Sequence, residues 1–296
     1  MTEQPSILRY RLLLVLAAVL WSLSGLFVKS PLLAVIPLDS RGPLLACWRA
    51  IFAGLFFVPF VRPSALRWRR GLVPMVVAFT LMNVLFVSSM TRTTSAAAIF
   101  LQYTATAWVA LLSWLFLHDR LRRSTCVSLV GALAGITWIV ATEQTAGREL
   151  GNVLALGSGF SLGCTLVMLR VLRDEDSTWL TALNHLIAGA VLLPWALLSG
   201  VSLSPEQWGL IALLGVVQMG LPYILFTRAV RHVPITEAVL ISMLEPILNP
   251  IWVWLAWGEE IGRNIEVGGM LILGGLAMKY GIDAFADRRS RPEVRT

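Results

Sequence analysis

An all-α integral membrane protein, with ten transmembrane helices arranged as two inverted five-helix repeats, is the architecture this sequence predicts. Three observations predict it. Of the 296 residues, 57% are apolar and only 14% are charged, whereas a soluble globular chain carries roughly 25% charged residues. Too few charges remain to cover a water-soluble core of this size, so much of the surface must face lipid. Ten apolar windows divide the chain, each near the ~20 residues that cross a ~30 Å hydrocarbon core. Finally, the chain matches itself when displaced by 140 residues.

The windows lie at 11–29, 43–61, 71–90, 95–117, 124–142, 151–170, 178–198, 208–227, 236–257 and 265–283, between charged or Pro/Gly-rich breaks. Connections this short leave no room for a separate soluble domain. The first window follows Arg9 and Arg11 and taken alone resembles a secretory signal. Nine further windows and the lack of a convincing cleavage site make it a retained helix. Orientation follows from the cations. With the N-terminus inside, 18 of the 24 fall in cytoplasmic segments. Outside lie Lys29, Arg41, Arg92, Arg148 and Arg263, and Arg49 sits within a span. The positive-inside rule then places both termini in the cytoplasm of a cell with this protein in its inner membrane. Residues 284–296 read as a cytoplasmic tail.

A net charge of +7 raises nucleic acid as a partner, but the pattern argues against it. Lys29 and Lys279 are the only lysines, and the arginines sit in short clusters between apolar runs. These are topology signals, and the partner they imply is the lipid bilayer. Cys47, Cys126 and Cys164 lie inside apolar runs and support neither a disulfide framework nor a zinc site. His118, His185 and His232 fall in three separate regions, so no metal-ligand spacing exists. No cofactor is expected.

The self-match gives the repeat. At an offset of 140, Asn83-Val84-Leu85-Phe86 falls on Tyr223-Ile224-Leu225-Phe226, Thr106 on Pro246, Trp114 on Trp254, His118-Asp119 on Gly258-Glu259 and Gly135 on Gly275. A second match at offset 135 places Ile51-Phe52-Ala53-Gly54 and Pro59 on Leu186-Ile187-Ala188-Gly189 and Pro194. The repeats are read as 1–146 and 147–283. Five spans is an odd number, so the second repeat must insert upside down. Inverted repeats characterise secondary transporters, with substrate bound near the midplane between the repeats.

The residues Leu20-Trp21-Ser22 through Lys29, Trp48-Arg49, and Thr94-Ser95-Ala96-Ala97-Ala98 carry a family resemblance, strongest in Leu244-Glu245-Pro246-Ile247-Leu248-Asn249-Pro250 leading to Trp257-Gly258-Glu259. Through these the chain resembles the drug/metabolite transporter superfamily in its EamA-like ten-helix branch, over nearly its whole length. It departs in the first half, where Thr106 stands for the expected proline and His118-Asp119 for Gly-Glu. The resemblance implies a permease for small metabolites, amino acids or drugs, often directed outward.

Polar residues at membrane depth mark the candidate site, because a charge at the bilayer centre costs about 2.5–3.5 kcal/mol on insertion scales. Two charges sit well inside spans: Arg49, about six residues from the outer end of its window, and Glu245, about twelve. At ~1.5 Å per residue they differ by roughly 9 Å in depth, a gap that long side chains or a substrate could bridge. Snorkelling of Arg49 to the headgroups is the alternative. Ser242, Glu245, Asn249 and Trp252 share one face of the ninth span, where Pro246 and Pro250 free carbonyls one turn earlier. Gln102, Tyr103 and Thr106 match them in the fourth span, and Asn83 and Tyr223 occupy equivalent positions in the third and eighth. The candidate binding set is therefore Arg49, Asn83, Gln102, Tyr103, Tyr223, Ser242, Glu245, Asn249 and Trp252. Helix–helix glue is the competing reading of each uncharged member. Asn184, at the position of Arg49, and His185 are further polar groups in the seventh span.

Gly159-Phe160-Ser161-Leu162-Gly163 fits the G-x-S-x-G nucleophile elbow, but that motif needs a strand-to-helix turn and this copy lies mid-span. Gly159 with Gly163, and Gly131 with Gly135, read instead as close helix-packing faces. The sequence therefore predicts a secondary active transporter working by alternating access; its direction and coupling stay open, with export implied by the resemblance and a proton or counter-solute as the candidate coupling partner. No ATP-binding motif appears. A membrane-embedded enzyme lacks a converging nucleophile and base, and a channel would need a continuous polar file.

Overall fold

The computed structural model describes residues 7–118, 123–142 and 147–289. Among them are ten helices long and apolar enough to cross a membrane: Ile7–Val28, Leu38–Phe60, Leu72–Arg92, Ser95–Leu117, Ser124–Thr142, Glu149–Val171, Ser177–Leu198, Pro205–Ala229, Glu237–Trp257 and Arg263–Asp283. We call these spans 1 to 10. The described residues contain no strand. Asp119 and most of the tail lie outside the described residues. The largest departure from the sequence windows is span 2, which begins at Leu38 rather than near residue 43. Its opening turn is polar but helical, because Pro37 turns the chain in and Asp39 sits in the first turn, where a negative charge complements the helix N-terminus. Arg92 at the end of span 3 pairs with Asp39 at 2.6 Å.

Packing follows the inverted repeat. Span 3 lies on span 6 and span 8 on span 1; span 4 also packs on span 6 and span 9 on span 1; spans 2 and 7 cross each other, as do spans 5 and 10. Each relation maps onto another, or onto itself, when span n is exchanged with its counterpart five spans away. The duplication read from the sequence is therefore present in three dimensions. Glycine makes the closest of these contacts. A Cβ on Gly131 would sit 2.9 Å from the Gly275 Cα, and one on Gly135 would sit 2.5 Å from the Gly268 carbonyl oxygen. Gly159 and Gly163 likewise leave room for span 4, at Thr104 and Trp108. These contacts substitute for a hydrophobic driving force, since lipid tails are as apolar as the helices.

Two spans are broken at matched positions. Span 4 consists of Ser95–Gln102 and Ala105–Leu117, and span 9 of Ile235–Ser242 and Leu244–Trp257. The breaks at Tyr103 and Met243 are 140 residues apart, the repeat offset. In span 9 the break precedes Pro246, which has no N–H to give. Span 4 has Thr106 at that place and breaks all the same. Its hydroxyls reinforce the long backbone bonds at the break: Thr104 Oγ1 donates to Leu101 O at 2.6 Å and Thr106 Oγ1 to Tyr103 O at 3.2 Å. Both spans end on a left-handed residue, His118 at φ +56° and Gly258 at φ +67°. Histidine pays a steric penalty there that glycine avoids, so the repeat geometry is kept at some cost in the first half.

The symmetry is incomplete. Spans 2 and 3 pack along one another, whereas their counterparts, spans 7 and 8, barely touch.

Gly135→Val should cost about 1–3 kcal/mol through overpacking. Gly274→Ala, where an added Cβ meets nothing within 4 Å, should leave the melting temperature in detergent unchanged. Equal melting temperatures for the two variants would refute the close approach of spans 5 and 10.

Candidate functional site

The early start of span 2 changes the depth of Arg49. It lies eleven residues into the helix that begins at Leu38, and Glu245 lies twelve residues before the end of its helix at Trp257. At 1.5 Å per residue both lie about 16–18 Å along their helices from those ends, so the gap counted from the apolar windows narrows when it is counted along the helices. The polar turn Leu38–Gly42 belongs to the helix, which an apolar window could not register.

Arg49 and Glu245 form no ion pair with each other. The Arg49 side chain is only 2% exposed, so it does not snorkel. Its Nε donates to Asn83 Oδ1 at 2.8 Å, and Asn83 Nδ2 donates to Ala46 O at 2.9 Å. The guanidinium carbon stands 5.9 Å from the centroid of the Phe86 ring. Spans 2 and 3 thus close on each other around Arg49. Glu245 is held from the other repeat by a neutral donor: the Tyr103 hydroxyl donates to Glu245 Oε2 at 3.0 Å. Both partners owe their position to the helix breaks. Tyr103 is the break residue of span 4, and Glu245 follows the Met243 break by two residues. Tyr223, from span 8, lies within electrostatic reach of both Arg49 and Glu245, and its ring stands edge-on to Trp21 at 5.3 Å. Span 8 is itself irregular here. Leu214–Gly220 is a π-helical stretch, a feature common at functional sites. Within it Gly215 admits the Arg49 carbonyl, which a Cβ would approach to 2.7 Å.

The structure thus brings together two of the expected pairs, Arg49 with Asn83 and Tyr103 with Glu245. Tyr223 apart, the other four candidates have different partners. Gln102 Nε2 donates to Ser158 Oγ at 3.0 Å, joining spans 4 and 6. Asn249 Nδ2 donates to Ser24 Oγ at 2.7 Å and Trp252 Nε1 to Ser22 Oγ at 2.9 Å, fixing span 9 on span 1. Ser242 Oγ donates back to Ala238 O in its own helix. Of these, only Asn249 retains a buried polar atom without a partner, Oδ1. Among the described residues no group of His, Cys, Asp and Glu side chains could hold a metal ion.

Sequence reasoning missed a second feature, at the face away from the termini. Lys29 Nζ lies 2.6 Å from Glu259 Oε2 and donates to Thr93 O at 2.7 Å. Glu259 Oε1 accepts from both the backbone N–H and the hydroxyl of Ser95, each at 2.7 Å. This latch ties span 1, the turn between spans 3 and 4, and the end of span 9 across the two repeats. No spacing rule joins residues 29 and 259, although both stand in the segments that carry the family resemblance. At the opposite face the cross-repeat pairs Arg11–Glu237 and Arg69–Glu175 are more open to solvent, and exposed pairs contribute little.

Comparison with known proteins agrees with this architecture. A model of the EamA-like transporter family matches residues 8–141 and again 149–280. An uncharacterized transporter of Archaeoglobus fulgidus is 27% identical over 233 residues, covering 78% of this chain and 84% of that one. The pseudopaline exporter CntI of Pseudomonas aeruginosa is 25% identical over 269 residues, covering 88% and 92%. A solved crystal structure superposes with a TM-score of 0.66 at 19% identity, over 94% of this chain and 99% of that chain; it shows that the fold is shared.

Asn83→Leu keeps the branched side-chain shape but strands the buried Arg49 Nε–H, which should cost about 1–3 kcal/mol. Gln102→Leu, whose lost partner is a serine hydroxyl, should cost less. Thermal unfolding of both variants in one detergent checks the order.

Proposed function

Because the chain belongs to the EamA-like transporter family, and its relatives are transporters and exporters rather than enzymes, we propose that it is a secondary active exporter of small metabolites, amino acids or drugs. It works by alternating access, the two five-helix repeats rocking about a polar layer in which Arg49, Asn83, Tyr103, Tyr223 and Glu245 meet the substrate. Gln102, Ser242, Asn249 and Trp252 complete the site, bracing spans 4 and 9 where they break. The repeats are those of residues 1–146 and 147–283. The protein sits in the inner membrane with both termini cytoplasmic, so the Lys29–Glu259 latch closes the periplasmic side. The relative named as a pseudopaline exporter supports the outward direction.

One observation carries the coupling. Glu245 is held by the Tyr103 hydroxyl, not by Arg49. A carboxylate bound by a single neutral donor can exchange that bond for a proton or a substrate amine without breaking a buried ion pair. Arg49, fixed by Asn83, is placed to receive an anionic group on the same substrate or the carboxylate once the substrate has left. A proton or counter-solute is the driving partner; 100 mV contributes about 2.3 kcal/mol for each charge moved.

Solute flux into proteoliposomes, with and without an imposed proton gradient, tests the reading. Glu245→Gln preserves shape and hydrogen bonding but removes the charge, so transport should persist weakly and lose its dependence on pH. Arg49→Ala should be more damaging. An unchanged pH profile in Glu245→Gln would reduce the glutamate to a structural acceptor. For orientation, a reporter fused after Arg295 should be active only on the cytoplasmic side.

A further inference from the structure

The failed symmetry between spans 7 and 8 leaves a cavity of about 50 Å³ among spans 3, 6, 7 and 8, in the half of the membrane nearer the termini. At ~10–15 Å³ per water-sized probe, that is room for three or four waters or a fragment of about four heavy atoms. Its walls combine apolar side chains, including Phe79, Met82 and Leu162, with Tyr223 and two threonines whose hydroxyls are spent on their own helices, and none of its lining residues is a carboxylate. Asn184 and His185 also line it. They are 3% and 1% exposed, and Asn184 Oδ1 and His185 Nε2 are buried with no hydrogen-bond partner.

The chemistry of these two atoms is fixed by their surroundings. His185 Nδ1 lies 2.8 Å from Thr181 O. A carbonyl can only accept, so Nδ1 carries the proton and a neutral ring presents a lone pair at Nε2. Asn184 Oδ1 is a second acceptor. Two orphaned acceptors buried in this chamber are costly unless a donor enters.

The repeat indicates what is missing. Asn184 occupies the position of Arg49 at offset 135, and Tyr223 that of Asn83 at offset 140. In the first repeat the N–H of Arg49 bridges the two helices by donating to Asn83. In the second, no hydrogen bond joins Asn184 to Tyr223 among the described residues, and the gap stays open. No carboxylate lines the cavity to balance a cation, and acceptor atoms disfavour an anion.

We propose that this cavity is a second ligand site, distinct from the central layer and separated from it by Tyr223, that takes an uncharged hydrogen-bond donor: the amide or hydroxyl end of a small ligand, N–H or O–H directed at Asn184 Oδ1 and His185 Nε2. The ring of Tyr223, whose centroid is 6.1 Å from that of His185, forms the shared wall.

Three isosteric probes separate the alternatives: acetamide, a neutral donor; acetate, an anion; and acetamidinium, a cation. The unmodified protein in nanodiscs is treated with diethyl pyrocarbonate, which acylates imidazole nitrogen, and modification of His185 is followed by peptide mass spectrometry. Exposed His232 is the internal control. At twice its dissociation constant acetamide should slow acylation of His185 about threefold and leave that of His232 unchanged, while acetate and acetamidinium have no effect. In Asn184→Leu, acetamide should no longer protect. Equal protection by all three probes, protection by none, or a His185 that resists acylation while His232 is fully modified would each overturn the proposal. None of these readouts depends on transport, so they stand apart from the test of the proposed function.

Discussion

In hydrocarbon a polar group must find its partner inside the protein, and the rest of this structure follows from that constraint. It decides where the helices may break. Spans 4 and 9 open at Tyr103 and Met243 because threonine hydroxyls reinforce the backbone bonds in one case and prolines facing the protein interior accompany the break in the other. It also decides how a buried arginine is kept. Arg49 has Asn83 as its fixed acceptor and Phe86 beneath its plane, so the charge is retained at mid-depth without a carboxylate.

Duplication supplies the frame, and divergence between the copies supplies the chemistry. At paired positions the repeats keep a backbone feature while exchanging the residue that produces it. His118 and Gly258 both end their helices left-handed; Thr106 and Pro246 both follow a break. Where side chains rather than backbone differ, the copies no longer match. Arg49 with Asn83 pulls spans 2 and 3 together, and the shorter Asn184 leaves spans 7 and 8 apart.

The fold was legible because period and length are strong signals in a membrane chain. The ten windows and the offset of 140 needed only apolar runs and landmark order. The glycine faces on spans 5 and 6 were legible for the same reason. The site was legible in part. Arg49 and Glu245 stand out as charges in lipid, but the start of span 2 was hidden because its first turn, Leu38–Gly42, is polar and helical. Serine partners for Asn249 and Trp252 were hidden, since Ser22 and Ser24 carry no periodicity of their own. Contacts such as Lys29 with Glu259 depend on tertiary approach between distant spans, which no local pattern encodes.

The central claim is that the two repeats rock about the polar layer, with the Lys29–Glu259 latch holding one side shut. Spin-label distances test it most directly, in a chain with Cys126 and Cys164 replaced by serine. One label pair, at Val35 and Glu260, reports the latched face; another, at Arg67 and Asp174, reports the face bearing the termini. Releasing the latch with Glu259→Gln should lengthen the first distance and shorten the second. Two distances that stay fixed, or that lengthen together, would contradict the account.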